Sequence, residues 1–131
     1  MPYTAVVLTD DSAYHLRKQI ETLSGYEGWE VVCHHVTLHL GNPNPDEVRM
    51  IGLSFQIVVD GIGFSDKAVA MRVKRICTST GFDIHSVNAI PHITLLVNRN
   101  GGGKPKDSNE ITNWTTDGKE RTYFGTLSFV P

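Results

Sequence analysis

Hydrophobic and polar residues alternate along parts of the chain with a period of two, which is typical of β-strands that have one buried face. Residues 53–59 show this most clearly, because the four odd-numbered positions are Leu, Phe, Ile and Val. Residues 67–75 are interpreted as a strand that pairs back on this one. Apolar, β-branched runs predict further strands over residues 3–9, 30–40, 88–97 and 121–130.

Helical spacing occurs in the apolar residues at positions 13, 16, 20 and 23. Residues 10–12 (Asp-Asp-Ser) offer side-chain oxygens for the N-cap of this helix, and Gly25 stands where a C′ glycine belongs. Pro45 predicts one helical turn that extends to Met50, and residues 105–114 are interpreted as a second short helix. The glycines at 61 and 63 predict a bulge or tight bend after residue 59.

The predicted elements follow the order β-α-β-turn-β-β-β-α-β, and most connections between strands are hairpin-like. This order predicts an α+β fold with mainly antiparallel sheets. The chain has 131 residues, which is the size of one ordinary domain. No linker or shift of composition divides it, so we predict a single domain over residues 1–131.

Composition and charge narrow the class of protein. Twelve Lys plus Arg against fourteen Asp plus Glu give a net charge of −2, which excludes the broad basic face that holds duplex DNA. No apolar run approaches the roughly 20 residues of a membrane-spanning helix, and no signal peptide is visible. Cys33 and Cys77 form no Cys-x-x-Cys pair and indicate reduced thiols. We expect a cytoplasmic monomer that binds neither membranes nor duplex DNA.

One tetrapeptide occurs twice: His35-Val-Thr37-Leu and His92-Ile-Thr94-Leu. With six histidines in the chain, two such tetrapeptides have a chance probability of roughly 1% at average composition. Each copy lies in a predicted strand, where residues i and i+2 share a face. Each motif therefore presents an imidazole and a hydroxyl on one face and anchors two apolar side chains in the core on the other.

This combination suits metal-free phosphodiester chemistry. Imidazole titrates near neutral pH, so one ring can accept a proton from water while the other donates a proton to the departing oxygen. Threonine hydroxyls can hydrogen-bond the non-bridging phosphate oxygens as charge develops on them. The symmetry of the two motifs does not reveal which ring is the base. We assign His92 as the base and His35 as the acid.

The paired His-x-Thr strands resemble the 2H (two-histidine) phosphoesterase superfamily. Residues 88–94 (NAIPHIT), Lys104-Pro105 with Ser108-Asn109, and residues 125–129 (GTLSF) resemble more narrowly the cyclic phosphodiesterase domain of fungal tRNA ligases. The resemblance implies a bilobal, pseudo-symmetric fold in which mainly antiparallel sheets line a central cleft, with helices outside. It also implies four catalytic residues, namely His35, Thr37, His92 and Thr94.

The activity implied by the resemblance is hydrolysis of an RNA or nucleoside 2′,3′-cyclic phosphate to a 2′-phosphate, in RNA end processing or repair. An alternative is a phosphodiesterase that degrades cyclic-dinucleotide or 2′-5′-oligoadenylate signals. An alternative of another class is a non-catalytic module that binds RNA ends. We expect residues 100–103 to form a mobile loop that allows Lys104 to reach a bound substrate.

A metal site is the other chemistry that the histidines suggest, through His34, His35 and His39. On a continuous strand His34 points away from His35, which leaves two ligands on one face where a zinc site needs more. We therefore predict neither a metal nor a cofactor. Two further groups are interpreted as structural or solvated: the basic residues 67, 72, 74 and 75, and the aromatic residues 29, 114, 123 and 124.

Overall fold

The computed structural model describes residues 2–131, with the side chain of residue 117 left out of the description. The helices are α1 (Asp10–Ile20) and α2 (Pro45–Met50), and two 3₁₀ segments cover Arg99–Gly101 and Pro105–Glu110. The strands are β1 (Tyr3–Leu8), β2 (Glu30–Val31), β3 (His35–Leu40), β4 (Ser54–Phe64), β5 (Ala68–Cys77), β6 (Asp83–Ile84), β7 (His92–Val97) and β8 (Asn113–Val130).

The strands form one antiparallel sheet that closes on itself. Its order is β2-β7-β3-β1-β8-β4-β5-β6, and an additional pairing joins β7 to β5. The ring β7-β3-β1-β8-β4-β5 is therefore continuous, and closure leaves no free edge in it. The prediction of an α+β fold with mainly antiparallel strands is confirmed. The described strands belong to one sheet, and the division into two pseudo-symmetric lobes stays a prediction.

The core lies inside this ring, where alternate strand residues point inward. Phe55, Ile57 and Val59 are at most 1% exposed, whereas Leu53 lies before β4 and is 49% exposed. Burying one such side chain contributes about 1.5–3 kcal/mol. The largest other side chains buried to the same degree are Leu16, Leu38, Ile93, Leu95 and Leu127.

Helix α1 and the helical turn from Pro45 to Met50 form where the sequence predicts them, but the ends of α1 differ from the prediction. Its N-cap is Thr9, whose side chain accepts a hydrogen bond from the Ser12 amide at 3.1 Å. The helix ends at Ile20, so Gly25 lies in the following loop rather than at C′. The prediction of a helix over residues 105–114 is wrong in part, because a 3₁₀ segment covers only Pro105–Glu110 and β8 begins at Asn113. None of the described helices has the length and apolar character needed to cross a membrane.

The predicted strand over residues 30–40 is interrupted. From Val31, which pairs with Leu96, to Val36, which pairs with Ile93, five steps along the chain match three steps along β7. The two extra residues are accommodated between β2 and β3, where Cys33 adopts a positive φ of 48°, a conformation that few non-glycine residues take. The β7 strand likewise begins at His92, four residues later than predicted.

The β4–β5 hairpin is confirmed, and its register shifts around Asp60 as the glycines predict. The register in which β5 pairs with β7 determines which β5 residues lie beside the second motif. Arg72 pairs with His92 and Ala70 with Thr94. Since directly paired residues share a face of the sheet, β5 forms one wall beside the second motif.

Candidate active site

The two repeated motifs lie on neighbouring strands. Val36 of β3 pairs with Ile93 of β7 in antiparallel register, and both side chains are fully buried. Their flanking residues therefore project from the opposite face. The structure brings four predicted site residues together on that face: His35, Thr37, His92 and Thr94.

The two imidazoles are close enough to influence each other. With Val36 opposite Ile93, His35 and His92 lie diagonally across the strand pair, and such positions are roughly 7–8 Å apart. The charge of His92 also contributes to lowering the pKa of His35. A group of the size of a phosphate fits between side chains at this spacing. The catalytic roles of these residues stay predictions.

His92 has a defined tautomer. Its side chain is 9% exposed, and Nδ1 lies 2.8 Å from the carbonyl oxygen of Ile90. Because a carbonyl oxygen only accepts, Nδ1 carries the proton and Nε2 of the neutral ring carries a lone pair. Burial lowers the pKa of His92, and the hydrogen bond to Ile90 partly opposes this effect. The ring therefore favours its neutral form and offers Nε2 as a proton acceptor.

His35 is held on both ring nitrogens. Nε2 lies 3.0 Å from Thr37 Oγ1, Nδ1 lies 2.9 Å from Nδ1 of His34, and the ring of Tyr3 packs against it at 4.7 Å. Burial lowers the pKa of His35 to about 4, and the neighbouring charges of His34 and His92 add to this shift. His35 is therefore neutral in the free site at pH 7.

The prediction that His34 points away from His35 is wrong. That prediction assumed a continuous strand, whereas His34 precedes β3 in the segment where the register shifts. The backbone there turns the exposed His34 ring toward His35. The part of the chain that the structure describes contains no group of three or more His, Cys, Asp or Glu side chains arranged for a metal ion.

Thr94 has a partner that the sequence analysis did not identify as a site residue. Its Oγ1 lies 2.9 Å from Oγ of Ser108, a fully buried side chain in the 3₁₀ segment Pro105–Glu110. When Ser108 donates, the Thr94 hydroxyl hydrogen is free to point at a ligand. The sequence did contain one indication of Ser108: the pair Ser108-Asn109 is among the residues that resemble the tRNA ligase domains.

Arg72 is a second residue that the sequence analysis missed, since it was interpreted as solvated. It lies opposite His92 on the face that carries the motifs. Asp60 holds its guanidinium through two hydrogen bonds, from Nε at 2.9 Å and from Nη2 at 2.8 Å. These bonds raise the pKa of Arg72 and lower the pKa of Asp60. Since Asp60 lies on β4, the guanidinium is turned toward β4 rather than β7, and the two opposite charges of the pair offset each other.

Lys104 is exposed at the start of the segment that carries Ser108. Its backbone N–H donates to Asp107 Oδ2 at 2.8 Å, which orders the beginning of the 3₁₀ turn. The preceding residues 99–101 form a short 3₁₀ turn. A substrate contact by the Lys104 side chain stays a prediction.

Comparison with known proteins identifies the family. A family model described as the fungal tRNA ligase phosphodiesterase domain matches residues 14–130, a range that includes both motifs and Ser108. Neither a curated protein nor a solved structure matches the chain. The family match agrees with the resemblance found from the two His-x-Thr strands.

Proposed function

The chain belongs to the fungal tRNA ligase phosphodiesterase domain family, and we propose from this premise that it hydrolyses RNA 2′,3′-cyclic phosphate ends to 2′-phosphates. The family is one of phosphodiesterases that act in RNA processing. The observation that carries the finer proposal is the pairing of Val36 with Ile93, which leaves two imidazoles and two hydroxyls on one face. Antiparallel pairing relates the two motifs by a local two-fold axis, which supports the pseudo-symmetry of the proposed fold.

The proposed reaction moves one proton at each histidine. Nε2 of His92 takes a proton from water as the water oxygen attacks phosphorus. The bond from phosphorus to the 3′ oxygen breaks, and that oxygen takes a proton from Nε2 of His35, which exchanges its contact with Thr37 Oγ1 for the substrate. The product is a 2′-phosphomonoester with a free 3′ hydroxyl. Thr37 and Thr94 donate hydrogen bonds to the non-bridging oxygens, where negative charge increases in the transition state.

A bound phosphate is expected to change the protonation of the two imidazoles. An anionic phosphate between the rings favours the imidazolium form, because an opposite charge within a few ångströms raises the pKa of a histidine. We propose that substrate binding in this way provides His35 with the proton that it lacks in the free site.

The proposal is tested by incubating the purified protein with a panel of phosphodiesters in the presence of a metal chelator. The panel contains an RNA with a 2′,3′-cyclic phosphate end, nucleoside 2′,3′-cyclic phosphates, a cyclic dinucleotide and a 2′-5′-oligoadenylate. We expect turnover of the cyclic phosphates to 2′-phosphates, identified by phosphorus NMR, with the chelator causing no loss. Turnover of only the cyclic dinucleotide or the 2′-5′-oligoadenylate would show that the substrates are nucleotide signals rather than RNA ends. Tight RNA-end binding without turnover would indicate a non-catalytic module.

The pH dependence of kcat/KM should have its optimum on the acidic side of the ordinary histidine pKa. This parameter reports the free enzyme, in which both His35 and His92 have lowered pKa values. The active form needs protonated His35 and neutral His92. As pH rises above both pKa values, the fraction of protonated His35 falls about tenfold per unit.

The same proposal requires kcat to behave differently. Because the bound phosphate raises the histidine pKa values, the limbs of the kcat profile should lie at higher pH than those of kcat/KM. Both profiles are measured on a nucleoside 2′,3′-cyclic phosphate, with His15→Ala as the control because that histidine is exposed on α1. A profile of kcat/KM that is flat from about pH 5 to about pH 9 contradicts acid–base catalysis by imidazoles.

A further inference from the structure

A cavity of about 260 Å³ opens beside the second His-x-Thr motif. This volume is slightly below the roughly 300–1,000 Å³ of pockets for drug-sized ligands. It therefore suits one small group better than a longer chain. Its walls come from the loop before β7, from the 3₁₀ segment Pro105–Glu110 and from the start of β8, and include Asn88, Ile90, Ser108, Asn109 and Trp114.

Two of the residues that line the cavity form hydrogen bonds with the proposed catalytic residues. The Ile90 carbonyl accepts the hydrogen bond from His92 Nδ1, and Ser108 Oγ is the partner of Thr94. The cavity and the face that carries the motifs therefore share the Ile90 backbone and the Ser108 side chain. We expect a ligand whose phosphate lies at His92 and Thr94 to extend its next chemical group toward this cavity.

The ring of Trp114 has a fixed orientation in the wall. Its Nε1–H donates to the Ile111 carbonyl at 3.0 Å, and the ring is half-buried. It also lies against Gly63, where a Cβ atom would stand only 2.5 Å from Cε3 of the ring. An aromatic surface that is already immobilised loses little entropy when a planar group stacks on it.

The remaining walls are polar but uncharged. The lining contains no Lys, Arg, His, Asp or Glu side chain, so the cavity offers no cation for a second phosphate. Asn88 is half-buried and Asn109 is exposed. Each amide supplies a donor and an acceptor, which match the donor and acceptor edges of nucleobases.

We propose that this cavity binds the base of the 3′-terminal nucleotide, with Trp114 as its stacking surface and Asn88 and Asn109 as partners of its polar edge. The inference rests on the proposed function, since it places the nucleoside that carries the cyclic phosphate. A base stacked against an aromatic side chain gains affinity largely independently of its identity. The cavity therefore favours substrates that carry a base and discriminates little between the different bases.

The first test compares adenosine 2′,3′-cyclic phosphate with 1-O-methylribofuranose 2′,3′-cyclic phosphate, which has no base. We expect kcat/KM for the nucleoside to be about 10- to 100-fold higher, the range that base–aromatic stacking provides. Asn88→Ala combined with Asn109→Ala should reduce this ratio at least about threefold. Trp114→Phe keeps an aromatic ring in the packed wall and should reduce the ratio less. Asn42→Ala, in an exposed loop, is the matched control.

The second test measures binding without turnover, through quenching of Trp114 fluorescence by adenosine 2′-monophosphate in a Trp29→Phe background. We expect binding that weakens in the double asparagine variant, with ribose 2-phosphate binding more weakly than the nucleotide in the unsubstituted protein. Equal turnover of the two cyclic phosphates in every variant overturns the base cavity and leaves the proposed function intact. Base-dependent binding without turnover overturns the proposed function and retains the cavity. Absence of both turnover and binding overturns both.

Discussion

His92→Ala is expected to lower kcat for a 2′,3′-cyclic phosphate by about 10²–10⁴-fold, the usual contribution of a positioned general base. The structure gives the reason in atomic detail. Nδ1 of His92 is committed to the Ile90 carbonyl, so Nε2 is the nitrogen that is free to accept the proton of the attacking water. Steady-state rates on adenosine 2′,3′-cyclic phosphate, followed by chromatography of the 2′-phosphate, measure the effect.

Two variants separate loss of the base from loss of structure. His92→Asn retains a side-chain N–H that can donate to Ile90, yet it has no proton acceptor of imidazole strength, and it should lose as much activity as His92→Ala. His15→Ala removes an exposed histidine of α1 and should retain full activity. Thermal unfolding shows whether each variant is folded. If His92→Asn stays within about threefold of the unsubstituted protein, His92 is not the general base.

The parts of the fold that follow from local pattern could be predicted from the sequence. The alternation in residues 53–59 places Phe55, Ile57 and Val59 in the core because inward-facing positions repeat every second residue. The same rule places His35 with Thr37 and His92 with Thr94 on common faces. Neither result needs knowledge of the partner strand.

Features that depend on pairing between distant segments could not be predicted. The interruption near Cys33 exists because β2 and β3 meet β7 in registers that differ by two residues. A single segment of sequence contains no information about that difference. The error at His34 follows from it, since the side chain's direction was inferred from an uninterrupted strand.

The two missed residues of the site illustrate the same limit. Arg72 lies opposite His92 through the pairing of β5 with β7, and Ser108 reaches Thr94 from a 3₁₀ segment with no periodic pattern. In the sequence, Arg72 is one of several basic residues in a strand of mixed character. Its bidentate contact with Asp60 and its position beside His92 are what distinguish it from the others.

Changing the leaving group of the substrate should distinguish the acid from the base among the two histidines most clearly. On a 2′,3′-cyclic phosphate the departing 3′ oxygen is an alkoxide that needs a proton, so His35→Ala should lower kcat by about 10²–10⁴-fold. On 3′-deoxyadenosine 2′-(4-nitrophenyl phosphate) the departing nitrophenolate is stable without a proton. His35→Ala should then lie within about tenfold of the unsubstituted protein, whereas His92→Ala should show its full loss on both substrates.

Both substrates carry adenine and are attacked by water, and they differ in ring strain and in the 3′ position as well as in the leaving group. Each variant is therefore compared with the unsubstituted protein on the same substrate, which cancels the difference in intrinsic reactivity. Release of nitrophenolate is followed by absorbance, and release of the 2′-phosphate by chromatography confirms where the bond breaks. The hydrogen bond from His92 Nδ1 to Ile90 favours His92 as the base, because it leaves Nε2 as an acceptor. The lowered pKa of His35 requires in addition that His35 gains its proton when the phosphate binds. The opposite pattern, with His92→Ala rescued by the better leaving group and His35→Ala impaired on both substrates, would exchange the two roles. Equal losses for both variants on both substrates would show that neither ring acts on the leaving oxygen.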